Sequence, residues 1–234
     1  MKEKTFYDRT ELLLGKDAMS RLKQKKVLVF GVGGVGGFAV EAIARSGTGI
    51  IGIVDYDRVD VTNINRQIIA LHSTIGQYKT DVMAERIRDI NPEIKLTVFR
   101  ERLTACNIDM FHLDEWDYII DAIDDVAAKL ILIREAKAIG VPIICSMGAG
   151  NHFNPGRFQA ADIRKTHTCP LAKIIRKETG KMGIKDLKVV FSSEEPHREA
   201  YPESGERYPA SIAFAPAACG LMIASEVIKD LINN

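Results

Sequence analysis

The chain has 234 residues, 46% of them apolar and 27% charged, and its 32 Lys and Arg nearly cancel its 31 Asp and Glu to leave a formal charge of +1. That composition excludes disordered, collagen-like and disulfide-scaffold classes and leaves enough chain for one sizeable core. A balanced charge argues against a protein that coats nucleic acid generally, though not against a local basic patch.

The cysteines at 106, 145, 169 and 219 form no CxxC pair and no zinc spacing, and a reduced cytoplasmic setting is the simplest reading. The N-terminal residues lack the apolar run of a signal peptide. The longest apolar stretch, residues 212–224, contains Pro216 and falls short of the roughly 18 residues needed to cross a bilayer.

In chain order, residues 1–24 read as a charged helical arm. KVLVFGVGGVGG (26–37) is an apolar strand entering a glycine turn, and FAVEAIARSG (38–47) a helix stopped by Gly47. IIGIVDYD (50–57) is a second buried strand. STIGQYKTDVMAERIRDINP (73–92) carries helical periodicity up to Pro92. Further strands are expected over 95–99, 117–124 and 141–148, with a helix over 125–140 between the last two. This alternation predicts an α/β fold, a doubly wound Rossmann-like sheet of mostly parallel strands. The second part is less regular: a strand over 157–163, a helix over 170–184, a strand over 187–193, an exposed loop over 194–209 and a closing helix over 214–232. We expect one domain: the arm (1–24), a nucleotide-binding core (25–150) and a smaller substrate-side extension (151–234).

Gly31, Gly33, Gly34 and Gly36 follow a strand and open a helix. Glycines there allow a tight turn and bring backbone N–H groups close to phosphate. Asp55, 19 residues after Gly36, ends the next strand and is placed to accept hydrogen bonds from a ribose. To this point NAD and ATP fit equally well. The next loop, DYDRVDVTNINRQ (55–67), adds a density of acids, amides and arginine that a hydride-transfer site does not need. Arg66 can fork onto phosphate oxygens, Lys79 can add a point charge, and Asp124 at a strand end suggests a Mg²⁺ ligand. Asp125 reads as a helix N-cap.

GVGGVGG, VDYDRVDVTNINRQ, GQYK and DAIDD together resemble the ubiquitin-activating and molybdopterin-synthase adenylyltransferase superfamily, over about residues 7–150. Within it, RTELLLGKDAM, TNINRQI, MAERIRDINP and CPLAKIIRK look most like the bacterial tRNA threonylcarbamoyladenosine dehydratases. The resemblance implies transfer of AMP from ATP to a substrate carboxylate, with loss of pyrophosphate. The acyl-adenylate would then close a ring within the same substrate, with net loss of water from the modified nucleoside and release of AMP.

The same resemblance makes Gly31, Gly33, Gly34 and Gly36 the nucleotide loop and Asp55 the ribose acid. It makes Asp57, Asn63, Arg66 and Gln67 the polar ring around the phosphates, Lys79 the phosphate lysine and Asp124 the Mg²⁺-linked acid. Arg9 matches an arginine that family dimers insert into the partner's site, which implies a homodimer. Phe38 departs from the small or polar residues common at that position. Whether a monovalent cation or a cysteine desulfurase partner takes part stays open.

Cys169 lies where relatives that charge carrier proteins keep a reactive cysteine, but a loop or core cysteine is the expectation here, because ring closure needs no protein nucleophile. Residues 157–188 hold nine basic residues against three acidic ones, a net +6 suited to the phosphates of tRNA. Residues 194–207 are net −3. Three other readings remain: an activator of a ubiquitin-like or sulfur-carrier protein, an NAD oxidoreductase that leaves Arg66, Lys79 and Asp124 unexplained, and a scaffold without turnover.

Overall fold

The computed structural model describes residues 5–197 and 209–233. Most of the acidic stretch, residues 198–207, lies outside them. Two short helices, α1 (Asp8–Leu14) and α2 (Lys16–Leu22), form the arm and meet at Gly15. The core follows as β1 (Lys26–Phe30), α3 (Gly36–Ser46), β2 (Ile50–Val54), α4 (Lys79–Ile90), β3 (Lys95–Phe99), β4 (Tyr118–Asp121), α5 (Val126–Ile139) and β5 (Ile143–Ser146). After these come β6 (Phe158–Asp162), α6 (Pro170–Lys181), β7 (Lys188–Ser192) and α7 (Phe214–Asn233).

The seven strands make one sheet in the order β3-β2-β1-β4-β5-β7-β6. All neighbours are parallel except β6, which runs antiparallel to β7 at the edge. The less regular second part of the sequence therefore completes the same sheet. β1, β4 and β5 read as near-continuous apolar runs because both sheet faces are covered. α3, α4 and α7 pack on one face, and α5 and α6 on the other. A fully buried Val or Ile of these strands contributes about 1.5–3 kcal/mol.

α7 lies across α3, where Phe38 faces Gly220. Its far end is tied down by Asp230, which accepts a hydrogen bond from the Tyr118 hydroxyl at 2.6 Å and pairs with Lys188 at 2.9 Å. No helix of the described residues is long and apolar enough to cross a membrane.

The strands expected over 50–57 and 141–148 end at Val54 and Ser146, and the helix expected over 170–184 ends at Lys181. Two further differences bear on the site. The helix expected from residue 73 begins at Lys79. Gly76 adopts φ +84°, and Tyr78 bridges to Arg58, so tertiary pairing turns the chain before the helix can start. β4 ends at Asp121 rather than 124, which leaves Asp124 on the loop before α5.

Candidate active site

A cleft of about 560 Å³ opens at the carboxyl ends of β1, β2, β4 and β5, where the strand order reverses direction. Its floor is the turn between β1 and α3, with Gly31, Gly33, Gly34 and Val35 in the wall. Gly31 needs its φ of +86°, and a Cβ on Gly36 would lie 1.8 Å from the Gly31 carbonyl oxygen. Gly36 thus closes the turn from behind rather than lining the cleft. The helix that starts there brings its first N–H groups and positive dipole end to the cleft.

Asp55 is buried at the end of β2. One carboxylate oxygen accepts the Val32 N–H at 2.8 Å and the other the Asp57 N–H at 2.9 Å. This carboxylate therefore shapes the glycine turn and keeps lone pairs for a ligand. Burial pushes its pKa up, against the pull of Lys79 and of the Val32 and Asp57 N–H groups.

Three cations line the cleft. Lys79, at the start of α4, pairs with Asp57 at 2.7 Å. Arg102, in the loop after β3, pairs with Asp125 at 2.9 Å. Among the described residues Arg66 pairs with no carboxylate; its guanidinium donates to the Thr62 carbonyl and the Asn65 amide oxygen, both at 2.9 Å. Among the described residues it is the cleft cation with no carboxylate partner. Two further groups wait for a partner. The Gln67 Oε1 is buried with no hydrogen bond. Asp124 is exposed in the cleft wall and makes no ion pair or hydrogen bond among the described residues.

Among the described residues no cluster of three or more His, Cys, Asp or Glu could hold a metal by itself. Two carboxylates of the cleft wall, Asp124 and Glu101, have no partner among the described residues. Free carboxylate facing a cationic, glycine-floored cleft instead suits Mg²⁺, which takes one or two carboxylates and completes its shell with phosphate oxygens and water.

The chain matches the ThiF family over residues 7–234. It belongs to the ThiF family. The tRNA threonylcarbamoyladenosine dehydratase of Bacillus subtilis (strain 168) is 44% identical over 241 residues, covering 97% of this chain and 95% of that protein. Among solved structures, E. coli tRNA N6-threonylcarbamoyladenosine dehydratase TcdA in complex with ATP matches at TM-score 0.89 and 34% identity, covering 97% of this chain and 93% of that one. The same enzyme in complex with AMP matches at TM-score 0.88 and 34% identity, covering 99% and 98%.

In this ThiF-family chain the fold gathers most of the sequence-predicted residues. Gly31, Gly33, Gly34, Asp55, Asp57, Arg66, Gln67, Lys79 and Asp124 all line the one cleft. Asn63 does not line it. It sits buried in the short 3₁₀ turn of residues 61–63, where its amide oxygen accepts the Asp60 N–H at 3.2 Å and sets the loop that presents Arg66. Arg9 is exposed on α1, outside the cleft of its own chain. Asp125 caps α5 by accepting the Ala128 N–H at 3.0 Å.

Cys169 is buried and caps α6, with Sγ 3.5 Å from the Ala172 nitrogen. The sequence reading missed Arg102 and the buried pair of Asp121 and Lys129. Position after a strand of a parallel sheet is the one signal that points to Arg102.

Proposed function

We propose that this chain binds ATP in the cleft and adenylates the carboxylate of N6-threonylcarbamoyladenosine in tRNA. The carboxylate attacks the α-phosphorus and pyrophosphate leaves. A nitrogen or oxygen of the same substrate then attacks the acyl carbon, AMP departs, and the nucleoside has lost one water. The observation that carries this reading is the set of uncommitted groups in one glycine-floored cleft: the free charge of Arg66, the open carboxylate of Asp124 and the orphaned Gln67 Oε1. The likeness to an enzyme solved with both ATP and AMP supports it.

Arg66 and Lys79 stabilise the extra negative charge of the transition state, and the turn N–H groups orient the phosphates. Asp55 receives the ribose hydroxyls, and Asp57 holds Lys79 until the phosphates arrive. Asp124 would hold Mg²⁺, which when bound offsets phosphate charge. Arg9 serves the cleft of a second copy, so the active form is a homodimer.

The tRNA lies against the β6–α6 edge. Of the nine basic residues there, Arg164, Lys181 and Lys188 pair with carboxylates and Arg176 donates to Thr166. Arg157, Lys165, Lys173, Lys177 and Lys185 are exposed and pair with none among the described residues. α6 begins at the cleft, where Leu171 is part of the wall, so this charge runs outward from the site. The work belongs in the cytoplasm. The burial of Cys169 supports ring closure over transfer to a carrier protein, and no desulfurase partner is needed for it.

Purified protein, ATP, Mg²⁺ and tRNA carrying the modification test this by mass spectrometry of the nucleosides. The product should be lighter by one water, with AMP formed. An unchanged nucleoside, with pyrophosphate exchange persisting on another carboxylate, would move the substrate to a carrier protein.

A further inference from the structure

Behind the cleft wall that carries Asp124 lies an ion pair sealed from solvent. Lys129, on α5, and Asp121, the last residue of β4, are both fully buried, with Nζ 2.7 Å from Oδ2. The same ammonium donates to the carbonyl oxygen of Ser146, the last residue of β5, at 3.0 Å. The other Asp121 oxygen accepts the Ile123 N–H at 3.1 Å. One ammonium therefore joins the ends of two neighbouring strands to the helix that connects them. The segments leaving those strand ends, residues 122–124 and 146–148, are both walls of the cleft.

Stability is a poor explanation for these charges. Desolvating two ions is costly, and apolar side chains of the same volume often hold a core equally well. Directed hydrogen bonds add what apolar packing lacks, a defined course for the backbone. Asp124 has no bond of its own among the described residues, so its place there follows from the Asp121–Ile123 turn before it and the Asp125 cap after it.

We propose that Asp121 and Lys129 are positioning residues that hold Asp124 and the facing 146–148 segment in register for the phosphates, without touching ATP. The proposal rests on reading Asp124 as the acid that acts at those phosphates.

The double variant Asp121→Asn/Lys129→Met removes both charges and leaves no buried ion unpaired. It should melt within a few degrees of the parent and bind ATP with parent affinity in the absence of Mg²⁺. It should lose the gain in ATP affinity that Mg²⁺ brings, exchange its Ile123 amide hydrogen faster, and lose about 10-fold or more in the kcat of pyrophosphate exchange. In an Asp124→Ala background the same double change should have a clearly smaller effect than in the parent, since part of it acts through Asp124. A folded double variant with parent Ile123 exchange, Mg²⁺ response and kcat overturns the proposal, and so does full additivity with Asp124→Ala.

If the double variant does not fold, Lys129→Arg carries the test, because it keeps the charge but replaces a point donor by a planar fork. A fall in kcat at unchanged Mg²⁺-free ATP affinity then supports the pair, and a parent kcat overturns it. A parent protein that binds no ATP would instead sink the reading of the cleft.

Discussion

Gly36→Ala tests whether the glycine turn is held by backbone contact. The added Cβ would lie 1.8 Å from the Gly31 oxygen, 2.9 Å from the Gly31 carbonyl carbon and 3.1 Å from the Ala122 Cβ. A tolerable carbon–oxygen contact is about 3.3 Å, so the oxygen would have to recede by about 1.5 Å. It belongs to a backbone that cannot swing aside, since the Gly31 N–H donates to Val54 at 2.8 Å and the turn already has positive φ. Overpacking costs about 1–3 kcal/mol in ordinary cases, and this one belongs at the upper end. At about 2–4 °C per kcal/mol for a chain of this size, the variant should melt about 6–12 °C below the parent.

Gly33→Ala is the contrasting case. Its Cβ would meet the Gln67 Nε2 at 3.7 Å, an ordinary contact, so the ligand-free protein should melt within about 2 °C of the parent. If Gly33 belongs to the phosphate loop, as proposed, the methyl group would face the phosphates and should weaken ATP about 10-fold or more. Thermal melting with and without ATP reads both effects. At 100 times its Kd, ATP should stabilise the parent by about 2.7 kcal/mol, and Gly33→Ala should lose about half of that. A Gly36→Ala protein that melts with the parent would refute the steric argument. A full ATP response in Gly33→Ala would refute the placement of the phosphates.

Arg66→Ala should slow adenylation at least ~100-fold, the scale of losing one charge-stabilising donor, and a near-parent rate in pyrophosphate exchange would sink its role. A disulfide reagent at mildly alkaline pH should label Cys106 quickly and the other three thiols only after denaturation, because Cys106 is exposed and burial pushes the Cys219 pKa up to about 12 and that of Cys145 well above its usual value. Fast labelling of more than one thiol contradicts this. Cys169→Ala should retain near-parent dehydration activity, and its loss would point to a thioester intermediate.

Glu41 supplies a pH test. Burial raises its pKa, but Arg86 and Arg45 outweigh that and hold the carboxyl below its ordinary value near 4.5. Its stabilising contribution is complete above that value and is lost as the pH falls through the lowered one. Glu41→Gln should therefore melt below the parent at neutral pH and lose less on acidification through that window. Parallel melting curves across the window would show that the pair contributes nothing.

Local pattern is enough for a segment whose partners are local. β1, its glycine turn and α3 are legible because an apolar run, a set of glycines and a helical period adjoin in sequence. The start of α4 is not legible, because STIGQY shares the helical period and only the Arg58–Tyr78 bridge and the Lys79 N–H bond to Asp57 stop the helix there. Asn63 and Arg66 sit in one polar loop, and nothing in DYDRVDVTNINRQ tells which side chain turns inward to build the loop. Hydrogen bonding within the 3₁₀ turn sends Asn63 inward and leaves Arg66 at the cleft. Lys129 reads as an ordinary helix lysine until β4 and β5 converge on it.

The residue types of the site, the glycine turn and the alternation that makes a parallel sheet are properties of the sequence alone. They arise from backbone freedom and hydrophobic period over a few residues. Which charges are spent and which stay free was decided only by the tertiary structure. Lys79 meets Asp57 across 22 positions and Arg102 meets Asp125 across 23, whereas Arg66 and Asp124 meet no opposite charge among the described residues. Ion pairing depends on distances of a few ångströms, which only the folded sheet brings about.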